Sequence, residues 1–191
     1  VDREMSFELN FVASKKVDKF TTDKQYGVLI DAYEECLHDE VALGKVNKSK
    51  NPVRALGSLL RSCDIVVGSV KLIDILDAIN AGFFAGTVTR MYNAGSIHRW
   101  FVENIKGKHI ELGEYVRVTK RQLNSLKLAC VTVLDDMSKA EAKLPLMAGV
   151  DGVTSFDNAW YRGQLLSAIE IIDDIFASVD FKKEMLFYNP R

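Results

Sequence analysis

Along residues 6–13, Ser-Phe-Glu-Leu-Asn-Phe-Val-Ala, apolar and polar side chains alternate with the period of two that predicts a half-buried strand. Most of the remaining chain runs at a period near 3.6. Thr22-Asp23-Lys24-Gln25 has the form of a capping box, and Tyr26, Leu29, Ile30, Tyr33 and Leu37 follow at helical spacing, predicting a helix over 23–39. Residues 40–50, with Gly44, Asn47, Ser49 and lysines at 45, 48 and 50, read as a flexible basic loop. Asn51-Pro52 then opens a helix over 52–63, because Asn caps and Pro suits the first turn. Ser69 is positioned to cap another helix, with Leu72, Ile73, Leu76 and Ile79 inward, ending or bending at residues 80–82. Met91, Ala94, Ile97, Phe101 and Ile105 predict a helix over about 86–106. Residues 114–118 alternate again, as a short strand able to form a ribbon with 6–13 or as an extended connector. The clearest amphipathic stripe is that of helix 119–137, capped by Thr119 and Gln122 and marked by Leu123, Leu126, Cys130, Val133, Leu134 and Met137. Tyr161, Leu165, Ala168, Ile172, Ile175 and Val179 give the last helix a packing seam. The expected fold class is mainly α: a helical bundle, all-α in its broad classification, with a small two-stranded β element.

Length and composition add limits. A chain of 191 residues suits one domain, or an N-terminal lobe over 1–50 on a larger remainder, and 48% apolar with 27% charged residues is the balance of a soluble globule. The net charge of -1 excludes a global basic field of the kind that coats duplex nucleic acid. Cys36, Cys63 and Cys130 have neither C-x-x-C nor zinc-ligand spacing and are expected as reduced intracellular thiols packed like small hydrophobes. Val1 to Met5 lack a basic region followed by an apolar run, so no secretory signal is expected, and Met5 is the expected natural start. The apolar stretch 65–85 is interrupted by Lys71, Asp74 and Asp77, which argues for a buried helix and against a membrane span.

Catalytic signals are sparse. Gly82-Phe83-Phe84-Ala85-Gly86-Thr87 lacks the Lys-Ser/Thr of a phosphate loop, no G-x-G-x-x-G follows a strand, and Ser155 and Ser167 lack a nucleophile elbow. His38, His98 and His109 share no helix face with a carboxylate at metal-binding spacing, so no catalytic residue, metal or cofactor is assigned. Ile97-His98-Arg99-Trp100-Phe101 forms either a hydrogen-bonded aromatic cluster or, through His98, Trp100 and the later Trp160, a ligand site. Glu170, Asp173 and Asp174 share a helix face, as a solvated polar surface or as carboxylates able to hold Mg2+. Residues 90–127 carry a local charge of +5, and residues 135–191 one of -4. Arg99, Lys106, Lys108, Arg117, Lys120 and Arg121 in the basic stretch are the expected binding surface, for an anionic protein face or, with interleaved aromatics, for nucleic acid.

In order, Ile97-His98-Arg99-Trp100-Phe101, Gly113-Glu114-Tyr115-Val116, the helix through Cys130-Val131-Thr132-Val133-Leu134, Leu144-Pro145 and Asp157-Asn158-Ala159-Trp160-Tyr161 resemble a family of small proteins of tailed bacteriophages. The likeness covers about residues 90–178. Members typically carry a polar Trp-Arg-Lys cluster before the Ile-His and a Gly-Phe-Phe-Phe-Gly run before the final Asp and Trp-Tyr. Here those stretches read Arg90-Met91-Tyr92-Asn93-Ala94-Gly95-Ser96 and Gly149-Val150-Asp151-Gly152-Val153. The resemblance implies a retained helical scaffold with an altered ligand site, as in a surface-binding derivative. The expectation is therefore a non-enzymatic phage accessory protein of the host cytoplasm that binds a host or defence protein, such as a CRISPR or restriction nuclease. The alternatives are an enzyme or sensor for a nucleotide-like ligand and a virion or assembly component.

Overall fold

A computed structural model describes residues 7–147, 153 and 155–191. Its strands are β1 (Glu8–Lys15), β2 (Ala85–Tyr92), β3 (Val116–Val118) and β4 (Glu184–Pro190). The helices are α1 (Asp23–Ala32), α2 (Glu40–Lys48), α3 (Pro52–Ser62), α4 (Leu72–Asn80), α5 (Gly95–Phe101), α6 (Lys120–Asp135), α7 (Ala140–Lys143) and α8 (Ala159–Ser178). Among the described residues, 55% are helical and 15% lie in one four-stranded antiparallel sheet of order β2-β1-β4-β3. The fold is thus α/β. The expected all-α bundle with a two-stranded ribbon is corrected by β2 and β4, and β4 sits between the two segments expected to pair.

Each missed strand has a physical reason. In β4 the run Met185-Leu186-Phe187-Tyr188 is buried without a break, so no alternation marks it; a strand covered on both faces reads as a continuous apolar run. β1 is likewise buried at six consecutive residues, not on one face as its alternation suggested. Glu8 and Arg191 exchange both backbone hydrogen bonds at 2.8 Å, and Val116, Arg117 and Val118 face Tyr188, Phe187 and Leu186. β2 occupies the first third of the segment expected to be helical, where the β-branched run Thr87-Val88-Thr89 favours extended backbone. Asn93 ends it in the left-handed region at φ 50°. That residue donates its N–H to the Phe7 carbonyl at 2.7 Å and accepts the Phe7 N–H on its Oδ1 at 2.9 Å, so helix starts only at Gly95.

The chain divides into two compact units, residues 1–12 with 87–191, and residues 13–86. In the second unit, the Thr22–Gln25 capping box opens α1, which passes into a π-helical turn over Tyr33–Leu37. The expected loop at 40–50 is mostly helix α2: Asp39 caps it by accepting from the Val41 N–H at 2.9 Å, and Lys45 and Lys48 lie in the last turn, where the helix dipole favours cations. Cys36 and Cys63 are joined in a disulfide with 6.6 Å between their Cα atoms, which corrects the expectation of three free thiols. Their separation of 27 residues gave no hint of this, since the pairing comes from where the π-turn and the end of α3 fold.

In the first unit, α6 opens on the Thr119–Gln122 capping box and packs against α8. Leu123, Leu126, Cys130 and Val133 are buried on α6, and Leu165, Ala168, Ile172 and Ile175 on α8, the stripe and seam that the sequence predicts. No described helix is long and apolar enough to cross a membrane.

Candidate functional site

Asn158 caps α8 by accepting the Trp160 N–H on its Oδ1 at 2.8 Å, which fixes Trp160 in the first helical turn, 52% exposed. The end of β2 presents Tyr92, 49% exposed. Between them lies an open groove of about 480 Å3, within the range of roughly 300–1,000 Å3 typical of ligand sites. Arg90, Met91, Tyr92 and Ala94 line one wall; Ala159, Trp160, Gly163 and Gln164 line the other, continued by Ser167 and Ile171. Aliphatic and aromatic atoms dominate it, with Arg90 the charged group on its wall. Arg90 is exposed and has no hydrogen-bond or ion-pair partner among the described residues.

Gly163 is the informative position. In a helix interior glycine costs about 0.8–1 kcal/mol relative to alanine, yet nothing lies within 4 Å of where its Cβ would be. No steric demand among the described residues explains it. Its effect is to keep the α8 wall low beside Trp160.

Of the three residues expected at a ligand site, only Trp160 lines this groove. His98 is buried, 3% exposed, and its Nδ1 shares a 2.5 Å hydrogen bond with the Tyr188 hydroxyl. Phe7 packs its ring edge on the imidazole at 4.9 Å, and Tyr188 stacks on Phe101 at 4.1 Å. Burial, with a smaller contribution from the His109 charge, lowers the His98 pKa to about 4, so the ring is neutral at pH 7. Burial also pushes the Tyr188 phenol well above its usual value. Trp100 is buried and meets Phe101 edge-on at 5.4 Å. His98 and Trp100 are therefore parts of the aromatic core.

The basic residues are dispersed. Arg99 pairs with Glu103 at 2.7 Å and donates to the Leu146 carbonyl at 2.7 Å, while Lys106 pairs with Glu114. Lys120 lies 5.3 Å from the centre of the Phe176 ring, a cation–π contact. Arg117 is on β3, the sheet edge opposite β2. Lys108 is exposed and its charge helps to hold the Glu114 carboxyl below its usual value, and Arg121 is exposed, its carbonyl accepting from the Ser125 hydroxyl at 3.2 Å. Asp173 accepts from Lys127 at 2.6 Å, and no three His, Cys, Asp or Glu side chains come together among the described residues. Cys130 is fully buried, which raises its thiol pKa to about 12 and keeps it from thiolate chemistry.

Of residues 149–153, one of the two stretches expected to depart from the resemblance, 149–152 lie outside the described residues and Val153 is buried. The other, 90–96, contributes Arg90, Met91, Tyr92 and Ala94 to the groove wall. Sequence reading did not name Arg90, Tyr92 or Gly163 as site residues; the available signal was a glycine in the interior of the last helix, off its apolar seam. No protein-family model, curated protein or solved structure matches the chain.

Proposed function

We propose that the protein acts by binding another protein in the groove between β2 and α8, and that it does so without catalysing a reaction on that partner. The observation that carries this reading is the pair of half-exposed aromatics, Tyr92 and Trp160, flanking an apolar groove over a glycine that the fold itself does not require. Large aromatic side chains bury much area at little entropic cost and are the commonest anchors of protein interfaces. The neutral, enclosed His98 lies away from the groove wall, which favours binding over acid–base chemistry there. The resemblance to phage proteins, whose departure at 90–96 coincides with this wall, supports a host or defence protein as the partner.

Photo-cross-linking tests the reading. A benzophenone amino acid at position 92, in protein mixed with host extract, should attach to a discrete polypeptide, and Trp160→Ala in the same protein should abolish the adduct. The same probe at exposed Leu128 on α6 should give no such adduct. Equal adducts at 92 and 128, or an adduct at 92 indifferent to Trp160→Ala, would overturn it. So would a nucleotide that raises the melting temperature of the wild type by several degrees and leaves Trp160→Ala unmoved, since that places a small ligand between the aromatics.

A further inference from the structure

The groove has a strand for one wall, and that strand is open. Among the described residues β2 is hydrogen-bonded only to β1, so its far edge carries backbone donors and acceptors without a strand partner there. Proteins usually blunt such edges by keeping them short or by placing charges along them. β3, at the other edge, is three residues long; β2 is eight residues long with Arg90 its single charge. Asn93 turns its N–H inward to Phe7, and with no cis peptides the Tyr92 carbonyl must then point outward. By the two-residue alternation, the N–H and C=O of Tyr92 and of Arg90 both face away from β1.

We infer that the occupant is an extended segment of the partner that adds a strand to β2, carrying an acidic side chain for Arg90 and, two residues away, an apolar or aromatic side chain that enters the groove between Tyr92 and Trp160. This rests on the groove being a protein-binding site. The spacing comes from the strand itself: Arg90 and Tyr92 are two residues apart, so their side chains share a face at roughly 7 Å separation. A strand paired alongside repeats that interval. Main-chain hydrogen bonds to the edge supply affinity, and the alternate side chains supply choice among sequences. Charge complementarity selects an acidic partner, because Arg90 is exposed and no carboxylate of the described residues neutralises it.

The test is selection of a displayed library of random 12-residue peptides on the whole protein, followed by binding of the enriched peptides to variants. Trp160→Ala and Gly163→Leu, the second filling open space over α8, should each weaken binding tenfold or more while circular dichroism and melting show a retained fold. The enriched peptides should carry Asp or Glu two residues from an aromatic or β-branched residue, and selection on Arg90→Glu should enrich Lys or Arg there instead. N-methylation along a selected peptide should abolish binding at every second residue, the phase that faces β2. Peptides that need Trp160 and Gly163 but tolerate methylation throughout, or fold as helices, would overturn strand addition and leave the groove reading standing. No enrichment, or peptides indifferent to both groove variants, would overturn both. A protein that sediments as a dimer and is dissociated by Val88→Pro, which removes an outward-facing N–H, would assign the edge to a second copy and overturn the peptide occupant.

Discussion

Lowering the pH from 7 towards 4.5 should destabilise the fold through one buried imidazole, that of His98. In the folded chain its pKa is lowered to about 4 by burial, against 6.5 in the unfolded chain. Between those values the unfolded chain takes up a proton that the folded chain excludes, so stability rises with pH in this window. The contribution is complete above pH 6.5 and is lost as pH falls towards 4. At about 1.4 kcal/mol per tenfold change in proton affinity, the whole effect is at most about 3 kcal/mol. By pH 5 it is about 2 kcal/mol, which for a chain of this size lowers the melting temperature by roughly 4–8 °C. Carboxylates with lowered pKa, such as Glu114 paired with Lys106, add losses of the same sign at lower pH, so the informative quantity is a difference. Thermal melting of wild type and His98→Gln across pH 4.5–8 isolates it: Gln retains a polar group opposite the Tyr188 hydroxyl and does not titrate. The variant should be less stable at pH 7, and its melting temperature should fall less steeply between pH 6.5 and 5. An identical slope in both proteins would refute the account of His98 as a buried neutral group.

Other consequences follow from single positions. Gly163→Ala should raise stability by about 0.5–1 kcal/mol, read by denaturant titration, because the helix gains propensity and the new Cβ meets nothing. Asn93→Ala should cost about 1–2 kcal/mol in the same assay, from a strained left-handed residue and the lost bond to the Phe7 N–H, and Asn93→Gly should recover part of it. The Ser96 hydroxyl is fully buried without a hydrogen-bond partner among the described residues, so Ser96→Ala should leave the melting temperature unchanged or raise it by a few degrees.

The helices that announced themselves did so through chemistry local to a few residues. Thr22 with Gln25 and Thr119 with Gln122 form both halves of their capping boxes, and the apolar stripes of α6 and α8 are the faces they bury. What escaped was decided by distant partners. Met185–Tyr188 has no alternation because it is covered on both faces, and Thr87–Arg90 fell within the helix expected over about 86–106, which in the structure is divided into strand and helix at Asn93, pinned to Phe7. The site followed the same division. Trp160 stands out as a residue in the sequence, but Arg90 and Tyr92 become its neighbours only when β2 is laid beside α8, about 70 residues later in the chain. His98 and Trp100, adjacent to an Arg and resembling a ligand motif, were drawn instead into the aromatic core by Tyr188, on a strand that was not foreseen.

Amide hydrogen exchange along β2, with and without a selected peptide, tests the central claim most directly, because it reads the edge that the partner strand must cover. On saturation with peptide, the amides of Arg90 and Tyr92 should gain protection of at least tenfold, while the Asn93 amide, already bonded to Phe7, should change little. Protection that leaves Arg90 and Tyr92 exchanging as in the free protein, with a peptide bound and Trp160 engaged, would contradict the account.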